Sequence, residues 1–383
     1  MTQSSGRGGG VPTRGVRALL GVALCVLASS AFAQEIDNQR FVALAKRCQA
    51  TAAAPPSPAA LAIRDVALSE YKTFQGSRVD HAGRIVLFGH AEAESDQESS
   101  APVTPRQIPW REVLRFWEDL QGDAVESSPN PALEVWFYPG LTDRNPPPHV
   151  PRRRAKLETL LRAIDRMDFS SFGEDAAGVK AALQQSAIRA SISDVAWSAA
   201  FISSVMRQAG LSSSAFAYSS SHIRYIVASI RQSLADLDAQ EATHFYRACD
   251  PDLTRPRAGD LYCSHRHVEG TKDPYLPKPG MSLFRSLFRD LMQQPSVISR
   301  THCDVVVRVD DAAKKVVVIG GNVQNSVTER TLNLNRKGVL SRAQGNLVAH
   351  GRSCARGQSG TSNEESGCRL NGQKWFVLLQ ART

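Results

Sequence analysis

Several things are scarce in this sequence, and each scarcity narrows the reading. No acidic residue precedes Glu35. No Cys-x-x-Cys pair or Cys/His cluster has the spacing of a zinc site, so no metal and no cofactor are expected. Only one apolar run approaches signal or membrane length, and no internal repeat is present. No motif of a nucleic-acid-binding module occurs, so nucleic acid is not expected as a partner.

The acid-free start has a specific shape. Arg7, Arg14 and Arg17 precede the apolar run Ala18 to Ala28, and Ala31-Phe32-Ala33 supplies a small-x-small cleavage pattern. The run is too short to span a bilayer comfortably and reads as a secretory signal cleaved after Ala33. The alternatives are an uncleaved anchor and a lipoprotein signal at Cys25, where the bulky Leu24 argues against lipidation. The mature chain is therefore expected in the periplasm or outside the cell, with no integral membrane segment. The whole chain carries +9, and loss of the three signal arginines leaves +6. That mild excess suits anionic envelope polymers or lipid head groups, or simply a soluble basic surface.

Six cysteines remain after the signal: Cys48, Cys249, Cys263, Cys303, Cys354 and Cys368. Exported proteins can oxidise them, but the fifteen possible pairings are not separable from sequence. Cys354 and Cys368 flank a Gly/Ser-rich loop and form the first candidate pair. Cys263 and Cys303 lie on predicted strands and form a second.

The segment after the signal divides into residues 34–58, a short helix and a proline-rich linker, and residues 59–383, one domain. Helical spacing marks Leu61 to Phe74, Trp110 to Leu120, Arg152 to Phe169, Ser193 to Gly210, Ile223 to Leu237 and Leu283 to Leu291. Short strands are expected at Ile85 to Phe88 and Leu133 to Tyr138. After Pro256 strands dominate: Asp260 to Cys263, Cys303 to Val309, Lys315 to Ile319, Ser326 to Leu332 and Trp375 to Leu379. Helices first and antiparallel strands second imply an α+β fold.

The chemistry concentrates at four places. The central helix begins Asp194-Val195-Ala196-Trp197-Ser198-Ala199-Ala200-Phe201, with Ser198 read in its first turn, where free N–H groups and the positive helix end favour a developing anion. Pro256-Arg257-Ala258-Gly259-Asp260 is a turn into a strand. Thr301-His302-Cys303-Asp304 puts a His at a strand start, with Cys303 on the opposite face and Asp304 on the same one. Ile319-Gly320-Gly321-Asn322 ends the next strand. A helix-borne nucleophile, a strand-borne base and a polar group on the following strand are the parts of a hydrolytic triad. His222 precedes a helix and either lines the groove near Ser198 or caps that helix. Gln324 and Asn325 are alternatives to Asn322.

The segments AWSAAFIS, PRAGDLYC, HCDVVV and VIGGNVQNSVT resemble the bacterial family known as domain of unknown function 2272, itself similar to the papain-like cell-wall hydrolases of NlpC and CHAP type. The resemblance spans roughly Leu61 to Leu379, broken by insertions near 76–108, 121–190 and 264–298. It implies a papain-like fold, with N-terminal helices on an antiparallel sheet. It also implies Ser198 as nucleophile, His302 as base and Asn322 as the orienting residue. Trp197, His222 and Asp304 are expected to contact substrate. Those relatives carry Cys where this chain has Ser198, so a hydroxyl here needs true general-base help. The function implied is hydrolysis of amide bonds in peptidoglycan or cell-wall peptide. The alternatives are a catalytically silent envelope-binding module and an antibacterial amidase-type effector. The oligomeric state is not assigned.

Overall fold

The structure is a computed structural model that describes residues 38–94, 108–120, 133–137, 153–193, 195–238, 243–265, 282–293, 301–344 and 370–383. The signal segment and the candidate pair Cys354 and Cys368 lie outside these residues.

In chain order, α1 covers residues 38–52. Helix α2 (Pro58–Thr73) starts at a Ser57 cap with Pro58 in its first turn, an arrangement in which the missing proline N–H costs nothing. It is followed by β1 (Ser77–Val79), β2 (Ile85–Leu87) and α3 (Pro109–Glu118). A small outlying unit then comprises β3 (Glu134–Phe137), β4 (Arg153–Lys156), α4 (Leu157–Asp165) and, after a 3-10 turn, α5 (Ala176–Ser193). The central pair α6 (Ser198–Gln208) and α7 (His222–Leu237) leads to β5 (Tyr246–Cys249) and β6 (Leu261–His265). Last come α8 (Leu283–Gln293), β7 (Thr301–Asp310), β8 (Lys315–Val323), β9 (Ser326–Asn333) and β10 (Lys374–Ala381).

Eight strands form one sheet in the order β2-β1-β9-β8-β7-β6-β10-β5. It is antiparallel except where β1 runs parallel to β9. Strands β7 and β8 are buried over most of their length on both faces, which their Val-rich runs allow. Helices α2, α6 and α7 pack against this central region. The fold is thus α+β, with N-terminal helices on a mainly antiparallel sheet. Most expected elements are present within a residue or two. Strands β1, β4 and β5 and helix α5 had no counterpart in the sequence reading. The expected helix Arg152 to Phe169 is instead strand β4 followed by α4, because Arg153–Lys156 pairs with β3. The expected helix from Ser193 is divided: α5 ends at Ser193 and α6 begins at Ser198, so Ser198 stands at the N-terminus of a helix of its own.

The described part of segment 34–58, residues 38–58, packs on the core. Leu44 and Cys48 of α1 are buried in the main cluster, and Cys48 is disulfide-bonded to Cys249 of β5. The second disulfide joins Cys263 and Cys303, which face each other across β6 and β7 as the strand pattern allowed. These two bonds indicate an oxidising, extracytoplasmic setting. Among the described residues no helix is long and apolar enough to cross a membrane.

The turn Arg257 to Asp260 is structural. Asp260 accepts N–H bonds from Arg257 at 2.7 Å and from Ala381 at 2.8 Å, tying the turn to β10. Burial pushes its carboxyl up to about 7, against the pull of Arg257 and the two backbone donors. Gly259 has φ +87, and a Cβ there would fall 2.3 Å from the Ala60 carbonyl oxygen, so glycine is required.

Candidate active site

Ser198 is the first residue of α6. The first intrahelical bond of that helix runs from Phe201 N–H to Trp197 O at 2.9 Å, so the amides of residues 198–200 precede the helical hydrogen-bond ladder. The positive end of the helix therefore lies at the Ser198 hydroxyl. Every residue from Ser198 to Met206 is buried, which makes α6 the central helix of the layer.

The side chain that meets Ser198 is His222. Ser198 Oγ and His222 Nε2 are 2.8 Å apart. His222 opens α7, and three residues on, one turn along the same face, Tyr225 places its hydroxyl against His222 Nδ1. Tyr225 is wholly buried beside Phe216, their ring centroids 5.0 Å apart. Burial pushes its phenol well above 10, and the charges of Tyr246 and Asp304 push the same way, so the hydroxyl is neutral.

His302, expected to be the base, makes a different bond. Its Nε2 lies 2.8 Å from Asp304 Oδ1, two residues along the same face of β7. Asp304 Oδ2 accepts from the guanidinium of Arg330 on β9. His302, Asp304 and Arg330 are all fully enclosed. Burial alone would raise the Asp304 carboxyl, but Arg330 and His302 pull it below its ordinary value, so the carboxylate stays ionised. The two imidazoles meet edge to face with centroids 5.3 Å apart. His302 is therefore separated from Ser198 by the His222 ring in this arrangement.

Asn322, expected to orient His302, sits in the bulged end of β8 with φ 55, where β8 changes register against β9. The group bonded to His302 is the carboxylate of Asp304, which shares its strand face. Gln324 and Asn325 also adopt left-handed backbone (φ 54 and 59), a conformation that Asn tolerates better than most residues. The Asn325 carbonyl accepts from Glu92 N–H at 2.7 Å, a structural tie rather than a ring contact.

Two expected substrate contacts need correction. Trp197 is fully buried among Phe74, Phe116 and Phe201, and its Nε1 donates to Glu92 Oε2 at 2.6 Å. It anchors the start of α6 from within the core. Asp304, with no exposed surface, holds His302 and Arg330 instead of facing a groove.

The Gly-Gly pair of β8 is what lets these groups approach. A Cβ on Gly320 would fall 1.8 Å from Asp304 Oδ1 and 2.9 Å from His302 Nε2. A Cβ on Gly321 would fall 2.5 Å from Phe201 and 2.8 Å from Trp197. The backbone of β8 lies directly against the His302–Asp304 pair, and only glycine leaves room.

Sequence reasoning missed Tyr225, Arg330 and Glu92. For Tyr225 the signal was its position three residues after His222 on a predicted helix. For Arg330 it was strand alternation: Ser326, Thr328, Arg330 and Leu332 share the buried face of β9, an unusual place for an unpaired cation. Glu92 lies in the stretch read as an insertion near 76–108 and gave no signal. Among the described residues no group of His, Cys, Asp and Glu is arranged to hold a metal ion.

Residues 167–381 match the family described as "Uncharacterized protein conserved in bacteria (DUF2272)". That is more than half of the chain and includes Ser198, His222, Tyr225, His302, Asp304, Gly320 and Arg330. No curated protein and no solved structure matches the chain. The chain belongs to the DUF2272 family.

Proposed function

We propose that this DUF2272 chain is an exported serine hydrolase of papain-like ancestry that cleaves amide bonds of cell-wall peptide. The observation that carries the reading is the 2.8 Å hydrogen bond between Ser198 Oγ and His222 Nε2 at the N-terminus of α6. In this reading His222 Nε2 takes the Ser198 proton as Oγ attacks the scissile carbonyl. The amides that open α6 are the donors available to the oxyanion of the tetrahedral intermediate. His222 then gives the proton to the leaving amine as the C–N bond breaks. Water, deprotonated by the same imidazole, attacks the Ser198 ester, releasing the acid and restoring the hydroxyl. His302, Asp304 and Arg330 support the imidazole of His222 from behind. The role first expected of His302 thus passes to His222.

The substrate class rests on the signal-like N-terminus, on the disulfides, which fit an envelope location, and on the resemblance to papain-like cell-wall hydrolases. A second reading has its own observation. Ser198 and His222 retain only 8% and 4% of their surface. A nucleophile so enclosed suits a module that binds wall peptide without cutting it.

The deciding experiment incubates purified protein with peptidoglycan sacculi beside the variants Ser198→Ala and His222→Ala. Muropeptide release that disappears in both variants is the expected result. Binding to sacculi without release, unchanged in Ser198→Ala, would overturn hydrolysis in favour of the binding module.

A further inference from the structure

A serine–histidine pair works in only one of the two neutral tautomers of its imidazole. To receive the Ser198 proton, His222 Nε2 must present a lone pair, so the ring proton must reside on Nδ1. Whatever faces Nδ1 decides this, and what faces it is the Tyr225 hydroxyl. We propose that Tyr225 is a positioning residue: its phenolic oxygen accepts the Nδ1 proton of His222 and holds the ring in the tautomer that leaves Nε2 open to Ser198.

A neutral phenol has one proton to place, which gives two arrangements. If Tyr225 donates to Nδ1, the ring proton moves to Nε2, points at Ser198 Oγ, and the pair is inert. If Tyr225 turns its proton elsewhere, its oxygen lone pair receives Nδ1–H and the pair is competent. The groups around it choose between them. Ser198 approaches from α6 and His302 from β7, Asp304 lies behind His302 with Arg330 of β9 on its far oxygen, and Asp304 and Tyr246 of β5 act on the phenol. Of these Asp304 is the anion, kept ionised by Arg330 and His302, and its charge acts on the Tyr225 phenol. A nearby carboxylate draws the phenolic proton towards itself and turns the lone pair to the imidazole. The strand-borne charges thereby set the state of the helix-borne pair without touching Ser198.

The tautomer itself can be measured whether or not the protein is a hydrolase; only its catalytic consequence rests on the serine-hydrolase reading. Long-range nitrogen–proton NMR correlations distinguish Nδ1–H from Nε2–H, with His222→Gln identifying the resonances. The expected wild-type result is a neutral His222 protonated on Nδ1. Tyr225→Phe keeps the ring that packs on Phe216 and removes only the hydroxyl. It should lose that preference and slow labelling of Ser198 by a fluorophosphonate about tenfold to a hundredfold. A wild-type His222 protonated on Nε2 overturns the proposal, and so does a Tyr225→Phe protein that keeps the Nδ1 proton and the full labelling rate. Should Tyr225→Phe fail to fold, the wild-type spectrum alone decides. Wild-type protein that does not label at all counts against the hydrolase reading, and the tautomer measurement still answers this one.

Discussion

The two histidines of the site sit on different kinds of element and keep different company. His222 is at a helix start, touches Ser198, and has the hydroxyls of Ser198 and Tyr225 against its two ring nitrogens. His302 is in the middle of the sheet, fully enclosed, and is bonded to a carboxylate that is in turn bonded to a guanidinium. The first half of the site is adjustable, since hydroxyls can donate or accept. The second is rigid, since charges in a dry interior must remain paired. The difference teaches that a histidine with an acidic partner is not by that fact the residue that meets Ser198. The charged half sets the field, and the neutral half has the hydroxyl within reach.

This comparison can be broken by removing one charge. Arg330→Met takes the guanidinium from Asp304 and leaves its carboxylate with the His302 bond in a site with no exposed surface. The expected loss is about 3–5 kcal/mol of unfolding free energy, read from urea denaturation. A loss under about 1 kcal/mol would mean that water reaches the pair and that the halves do not differ as described.

The contrast in roles comes next. His222→Gln should cut fluorophosphonate labelling of Ser198 at least about a hundredfold, whereas His302→Gln should cut it by roughly tenfold. Equal losses would erase the distinction, and a larger loss in His302→Gln would restore His302 as the direct base.

Gly320→Ala probes the rigid half by crowding. The added methyl would lie against Asp304 Oδ1, so β8 must move away from β7. A loss of about 1–3 kcal/mol in thermal or urea unfolding is expected, with labelling of Ser198 reduced but not abolished. A variant as stable as wild type would show that β8 is not pressed against the pair.

The smallest effect lies away from the site and serves as its control. His244 is buried against Phe216, and burial lowers its pKa to about 4 from 6.5. Between these values the unfolded chain binds a proton that the folded chain refuses. This contribution to stability is therefore present above pH 6.5 and lost as pH falls towards 4. His244→Phe should remove roughly 1–2 kcal/mol of the stability loss between pH 7 and pH 5 and leave Ser198 labelling untouched. An unchanged pH dependence would show that His244 is already solvated in the native protein.

Much of this was legible in the residues, and the parts that were not share a cause. The run Val305, Val306, Val307 and the matching Val316, Val317, Val318 announce two central strands, because strands covered on both faces must be apolar throughout. The opposite facing of His302 and Cys303 and the shared face of His302 and Asp304 follow from local periodicity, whereas the break that puts Ser198 at the head of its own helix does not. The Cys263–Cys303 bond was a named possibility for the same reason. Cys48–Cys249 was not foreseen, since it links an N-terminal helix to a strand 201 residues away. Arg330 was passed over because its charge is explained only by a carboxylate on a strand that is not its neighbour in the sheet.

The sequence by itself determined which elements form and which way their side chains alternate, since helix and strand periods are set by the backbone within a few residues. It also determined that a serine lies near the start of the central helix and that a glycine pair lies near the end of β8. Only the tertiary structure decided which histidine Ser198 meets. That choice depends on the first residues of α6 and α7 meeting, with His302 of β7 lying behind His222. No local pattern encodes the meeting of two faces that belong to separate elements.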